Sequence, residues 1–326
     1  MSKQPTVSVV IPTYNYGQFV TEAVESVLAQ SYTDFEIVVV DDGSTDDTRE
    51  RLAPYMDRIK YIYQENRGLS AARNMGIRTA RGGLVAFLDA DDVWLSERLS
   101  VQVPILLGSE DVGIIASTSY DFDEPLPERP TSTVVTEVSA EELVIKARFG
   151  PGGVLARREC FETCGFFDED LRSAEDRDMW IRIARKFRVL RVAEPLWRYR
   201  VHGASMSYNL SRMRIGQEKV LRKVFADYPE FRGRLCLKLK AYSQLHYDSA
   251  YMLTETKGSR LSALRHFALS FLLWPGPFGS KLFRVRFARL RTLARCLLGD
   301  RVFAALNLLR GRRVAGSATC ESQRAR

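Results

Sequence analysis

Three hundred and twenty-six residues, 45% hydrophobic and 27% charged, supply enough apolar material for a core-bearing domain with an appendage, and exclude a mini-protein, a disordered tract or a fibrous repeat. The formal net charge of +8 is uneven: residues 271–326 carry 12 Lys/Arg against Asp300 and Glu321, which leaves 36 basic and 38 acidic residues in the nearly neutral remainder. Five cysteines are too sparse for a disulfide framework, and three histidines are too few for a histidine-rich metal site, so the chemistry falls to carboxylates.

In chain order, VSVVI (7–11), EIVVV (36–40), YIY (61–63) and LVAFL (84–88) are short β-branched or aromatic runs, with VGIIA (112–116) next. Helical patterns separate them: Val20, Val24, Val27 and Leu28 recur at helical spacing, and LSAARNMGIRTA reads as a helix ending before Gly82 and Gly83. Strands that are almost continuously apolar fit the interior of a sheet covered on both faces. The alternation predicts an α/β fold with a mainly parallel sheet flanked by helices. After residue 120, DEPLPERP reads as a loop, 139–148 as a helix and GPGG (150–153) as a turn. Beyond 210 only helical patterns remain, so the expected division is a domain over 1–210, in halves 6–120 and 121–210, and a helical region over 211–326.

Ligands in open α/β sheets gather at the carboxyl ends of the strands. Here those ends lead into PTYNYG, DDGSTDD and DADDVW. Asp89, Asp91 and Asp92 crowd carboxylates together, and a divalent cation such as Mg²⁺ or Mn²⁺ is the natural counter-charge; helix capping is the competing explanation. In the second loop no choice of first ligand puts glycine sixth and glutamate twelfth, which excludes an EF-hand. Asp41 and Asp42 suit hydrogen bonding to a base or ribose, with Gly43 permitting the turn.

The run from VSVVIPTYNYGQFV to VVVDDGSTDDT, followed by NRGLSAARNMGIRTARGGLVAFLDADDVW, resembles the nucleotide-sugar-binding half of family 2 glycosyltransferases of GT-A fold, closely over about 6–100 and more loosely to RYRVHGASMS. The resemblance implies an inverting, metal-dependent transferase that takes a nucleotide-sugar donor, expected to be UDP-linked, and a glycan or lipid-linked acceptor. It also implies roles by motif. Pro12, Thr13 and Tyr14 line the nucleoside pocket, Asp42 with Asp41 beside it contacts base or ribose, and Arg73 faces the diphosphate. Asp89 lies at the nucleotide, Asp91 is the leading metal ligand with Asp92 a second, and His202 of YRVH lies near metal or phosphates. In SAEDRDMW, which also holds Asp178, Asp176 is the expected base and Glu175 its orienting neighbour; acidity at a helix start is the plainer reading. Trp94 and Trp180 fit the core better than a sugar platform.

Two other functions fit less well. A sugar-phosphate nucleotidyltransferase would follow its first strand with a glycine-rich loop rather than PTYNYG, and a non-catalytic scaffold would have no use for both acidic motifs. Over 281–313 arginines interleave with Leu, Phe and Val, the pattern of a basic amphipathic helix on an anionic membrane surface, although packing on the catalytic domain or a homo-oligomer interface fits the same pattern. No nucleic-acid-binding motif accompanies the charge. No apolar run nears the ~20 residues of a spanning helix, and the first residues lack a secretory signal, so a cytoplasmic location, peripheral on the membrane at most, is expected.

Overall fold

The computed structural model describes residues 4–122, 133–203, 209–256, 258–276 and 288–299. They divide into two compact units, one ending at Tyr228 and the other beginning at Pro229.

The first unit opens with β1 (Val7–Thr13), α1 (Gly17–Leu28), β2 (Phe35–Asp41), α2 (Thr48–Leu52), β3 (Lys60–Tyr63), α3 (Leu69–Thr79) and β4 (Leu84–Phe87). It continues through β5 (Val93–Trp94), α4 (Arg98–Leu107), β6 (Val112–Asp121), β7 (Val135–Glu137), α5 (Ala140–Ile145) and β8 (Leu155–Arg157). The last elements are α6 (Arg158–Cys164), α7 (Glu175–Ala184), β9 (Arg188–Tyr199) and α8 (Leu210–Asp227). One sheet runs in the order β3-β2-β1-β4-β8-β6-β9-β5, with β7 paired to β9. The strands β3, β2, β1 and β4 are mutually parallel, as their apolar runs predict. Beyond β4 the directions mix: β8 is antiparallel to both β4 and β6, whereas β9 is parallel to β6.

All seven residues of β1 are buried because alternate side chains enter different layers. Val7, Val9 and Ile11 join Val20, Val24 and Val27 of α1, while on the other face Val38 and Val40 of β2 meet Ala72 of α3. Gly76 of α3 lies so close to β1 that an added Cβ would come within 2.2 Å of a Val10 methyl. Helices therefore cover both faces and leave the carboxyl edge of the parallel strands open. The helix expected over 139–148 is shorter, starting behind a capping box in which Ser139 and Glu142 exchange hydrogen bonds. The twelve-residue strand β9 has no counterpart in the sequence expectation.

The division falls after α8 rather than before it: Gly216 of α8 packs on Ser173, where a Cβ would meet the Ser173 hydroxyl at 2.2 Å. The second unit holds α9 (Leu235–Glu255), α10 (Arg260–Leu273) and α11 (Ala288–Leu298) around Ala250, Ala263, Phe267 and Cys296. Of the basic amphipathic stretch at 281–313, only 288–299 lies within the described residues. No helix among the described residues is long and apolar enough to cross a membrane.

Candidate active site

A cavity of about 410 Å³ opens where β1, β2 and β4 end, a volume suited to a small-molecule ligand. Pro12, Thr13, Tyr14, Asp42, Asp89, Asp91 and Glu175 line it, so seven of the expected residues come together; Asp41, Arg73, Asp92, Asp176 and His202 stand behind or beside its walls.

Asn15 ties the first two loops together. It adopts φ 56°, a region that asparagine enters more readily than most residues. Its side-chain oxygen accepts hydrogen bonds from the backbone N–H groups of Thr45 (2.7 Å) and Asp46 (3.3 Å). The adjacent aspartates then diverge. Asp41 turns inward, accepting from the Ser44 N–H at 2.8 Å and the Tyr61 hydroxyl at 2.7 Å. Asp42 faces the cavity and accepts from Gln64 Nε2 (2.6 Å), Arg67 N–H (2.9 Å) and Gly68 N–H (2.7 Å). A carboxylate has about four lone-pair sites, so roughly one remains for a ligand donor.

Arg73, 1% exposed, donates to Glu175 Oε1 at 2.6 Å and Asp89 Oδ1 at 2.7 Å. Those two carboxylates hold its guanidinium above its ordinary pKa against the cost of burial. It therefore braces two walls from behind and does not itself line the cavity.

Along DADD each carboxylate meets a different element. Asp89 meets Arg73 of α3. Asp91 Oδ2 lies 3.0 Å from His202 Nε2, and burial together with the Asp89 charge pushes the Asp91 carboxyl above its usual range. Asp92, 1% exposed, accepts from the Arg200 backbone N–H at 2.9 Å, and burial with two acidic neighbours raises it further. The Arg200 side chain donates to the Asp91 carbonyl at 2.9 Å and lies between the rings of Phe19 and Phe122. His202 rests edge-on to Tyr16, whose hydroxyl is pushed up by burial and by Asp91 and Asp89.

On the opposite wall α7 begins after Ala174, at φ 59°. The Asp176 carboxyl accepts from the Arg177 N–H at 2.7 Å; burial and the Glu175 charge raise its pKa to about 7, while Arg73 pulls the other way. Asp178, two residues on, is fully buried and ion-paired to Arg182 (2.9 Å) and Lys223 (3.0 Å), so the third acid of this motif is structural. Trp94 donates to the Gly152 carbonyl at 3.1 Å, and Trp180 packs with Phe87, Phe149 and Phe167; both belong to the core.

Sequence reasoning missed Asn15 and the cavity-lining Arg67, Glu169, Arg172 and Arg212. Asn15, within PTYNYG, is the one with a local signal, as a residue type tolerant of positive φ.

Among the described residues no cluster of three or more metal-ligating side chains is assembled. The Asp91–His202 pair nevertheless fits a hard divalent cation that takes one or two protein ligands and completes its shell with phosphate oxygens. The partly buried Asp91 carboxyl, crowded by Asp89, is a place where positive charge would be stabilising.

Comparison with known proteins agrees with this architecture. Residues 8–169 match the sequence model of glycosyl transferase family 2. An uncharacterized glycosyltransferase of Rickettsia prowazekii is 32% identical over 208 residues, 61% of this chain and 65% of the relative, so the chain spans less than two thirds of that protein. The mannosyltransferase PcManGT from Pyrobaculum calidifontis, solved with GDP-Man and Mn²⁺, superposes with a TM-score of 0.62 at 20% identity, covering 97% of this chain and 87% of that one. S. aureus TarS 1-349, in complex with UDP-GlcNAc, gives 0.52 at 17% identity, covering 82% and 89%. At such identities the solved structures speak to the fold alone. From residue 8 to residue 169 the chain is thus similar in sequence to glycosyl transferase family 2, on a fold like that of the GT-A glycosyltransferases.

Proposed function

We propose that the protein is an inverting, metal-dependent glycosyltransferase that moves a sugar from a nucleoside-diphosphate sugar to a hydroxyl of a glycan or lipid-linked acceptor. The observation that carries this reading is the convergence of Asp42, Asp91 and Glu175 on one cavity at the carboxyl ends of parallel strands. Asp42, with the loop from Pro12 to Tyr14, would take the nucleoside. Asp91 and His202 would hold Mn²⁺ or Mg²⁺, which offsets the charge that develops on the departing diphosphate. Arg73 keeps Asp89 and Glu175 fixed on facing walls. Asp176 would accept the proton of the acceptor hydroxyl as its oxygen bonds the anomeric carbon and the bond to the diphosphate breaks. A carboxyl titrating near neutrality suits that task, whereas Glu175 is committed to a buried arginine at 2.6 Å. Direct displacement from the face opposite the leaving group inverts the anomeric centre.

Calorimetric titration with UDP, GDP, dTDP and CMP, with and without Mn²⁺, tests the donor site. One diphosphate is expected to bind in a metal-dependent manner, with UDP the leading candidate, and Asp91→Asn is expected to abolish the metal dependence. Failure of every nucleotide to bind a folded sample would refute this function.

A further inference from the structure

The charges around the cavity do not balance from wall to wall. Each carboxylate that lines the cavity has a cationic or hydrogen-bonding partner: Asp42 takes three donors, Asp89 and Glu175 share Arg73, Asp91 meets His202, and Glu169 meets Arg67 at 2.9 Å. Arg172 and Arg212 line the same cavity, and among the described residues neither has a carboxylate within ion-pair distance. They form one structural piece with the segment that precedes Glu175 and Asp176. Arg212 Nε donates to the Arg172 carbonyl at 3.0 Å, and the Ser173 hydroxyl donates to the Arg212 carbonyl at 2.8 Å.

The wall they approach holds one carboxylate, Asp42, which accepts the Gly68 N–H at 2.7 Å. The α3 helix has no acidic residue in its first turn, and its N-cap, Gly68, offers no side chain. Arg172 Nη1 lies 2.9 Å from the point a Cβ on Gly68 would occupy, which sets a cation beside the positive end of a helix, a pairing the macrodipole disfavours. Ser70, in that first turn, lines the cavity; it is 4% exposed and its hydroxyl has no hydrogen-bond partner. A helix terminus, two uncompensated guanidinium groups and an unsatisfied hydroxyl together suit an oxyanion, which arginine binds through paired N–H groups.

We propose that the acceptor is an anionic molecule whose phosphate or carboxylate group is bound by Arg172 and Arg212. This rests on the transfer reading given above, in which the donor diphosphate lies on the Asp89–Asp91 side. The arginines are joined to the segment carrying Asp176, so they move with the acceptor side of the site.

The test uses the full chain and ligand-observed NMR with two probe pairs, glycerol 3-phosphate against glycerol and glucuronate against glucose. Each is measured with and without Mn²⁺ and the nucleoside diphosphate found by calorimetry. At least one anionic probe is expected to bind about tenfold more tightly than its neutral partner, and Arg172→Gln with Arg212→Gln to remove that advantage, as loss of charge-assisted hydrogen bonds implies. Nucleotide affinity should stay within about twofold in the double variant, and Arg172→Gln alone serves if the double variant does not fold. Preference for one probe decides between a phosphorylated and a carboxylated acceptor. Equal binding of charged and neutral probes would overturn the proposal. So would a parallel loss of nucleotide affinity in the variant, which would assign the arginines to the donor. Absence of all nucleotide binding would instead fail the transfer reading, because the probe measurements without nucleotide report on the anion site separately.

Discussion

Arg73→Met withdraws the charge shared by Glu175 and Asp89 while keeping an unbranched chain of similar reach beside Phe167. Breaking a buried pair by removing one partner costs about 3–5 kcal/mol. The Glu175 side chain is 7% exposed and bears the full penalty, whereas Asp89 at 28% regains some hydration, which places the expected loss near the lower end, about 3 kcal/mol at neutral pH. The sign of the pH dependence follows from linkage. Arg73 pulls downward on the Asp176 carboxyl, which burial and Glu175 raise to about 7, so without Arg73 that carboxyl rises further above its unfolded range. Stability relative to the parent therefore falls as pH rises through about 7 and recovers as it drops back. Urea unfolding followed by tryptophan fluorescence measures this, since three of the four tryptophans, Trp94, Trp180 and Trp197, lie in the first unit. The destabilisation should shrink by about 1 kcal/mol between about pH 8 and about pH 5. A loss below about 1 kcal/mol at the higher pH, or one equal at both, would refute the claim that Arg73 is the counter-charge of this site.

If Asp176 is the base, kcat/KM should rise with pH through an acid limb near 7, because only the ionised carboxylate accepts the proton. Glu175→Gln removes one cause of the raised pKa and should move that limb to lower pH, while Arg73→Met should move it up; a limb that ignores both changes would remove Asp176 from the role. Gly76→Ala gains about 1 kcal/mol of helix propensity but forces a methyl to within 2.2 Å of Val10, and overpacking of about 1–3 kcal/mol should prevail. Adding Val10→Ala should then restore part of the loss in chemical denaturation, and no recovery would show that the clash is not the cause. Vesicle flotation tests the basic stretch at 281–313: the full chain should float with anionic vesicles and not with neutral ones, and changing Arg284, Arg286 and Arg291 to glutamate should abolish flotation. Equal flotation of parent and variant would refute a role for these charges.

The parallel half of the sheet was legible because β1, β2 and β4 are covered on both faces and their carboxyl-end loops are local in sequence. Val9, Val10 and Ile11 point alternately to two different helical layers, yet all are apolar, so the run announces itself. Strand β9 announces nothing. Its buried residues, Val189, Val192, Leu196 and Trp197, follow no fixed period, because register shifts against β6 interrupt the pairing. The Asp41–Asp42 pair shows a finer limit. Successive side chains at a strand end point to opposite faces, so one of the two had to face the cavity, but which one depends on how α3 and β3 close around them. Arg172 and Arg212 were invisible for another reason: each is one arginine among many in a charge-dense stretch, and their meeting depends on how α8 packs.

The same distinction separates the three aspartates after β4, which the sequence presents as interchangeable. Asp92 is buried and holds the backbone at Arg200, so moving it toward a ligand would strip an N–H of its acceptor. Asp89 is already neutralised by a fixed guanidinium, and a cation there would compete with Arg73 for the same oxygens. Asp91 is left facing the cavity with a histidine, whose imidazole gives up its proton to a metal far more readily than an arginine gives up its charge. A cation at Asp91 would therefore share that carboxylate with an imidazole that can itself ligate metal, rather than compete with a fixed guanidinium, and it would relieve the repulsion that Asp89 exerts on the same carboxyl. Under the proposed function, a cation would on these energetics be taken by Asp91, with Asp89 and Asp92 setting the loop that presents it.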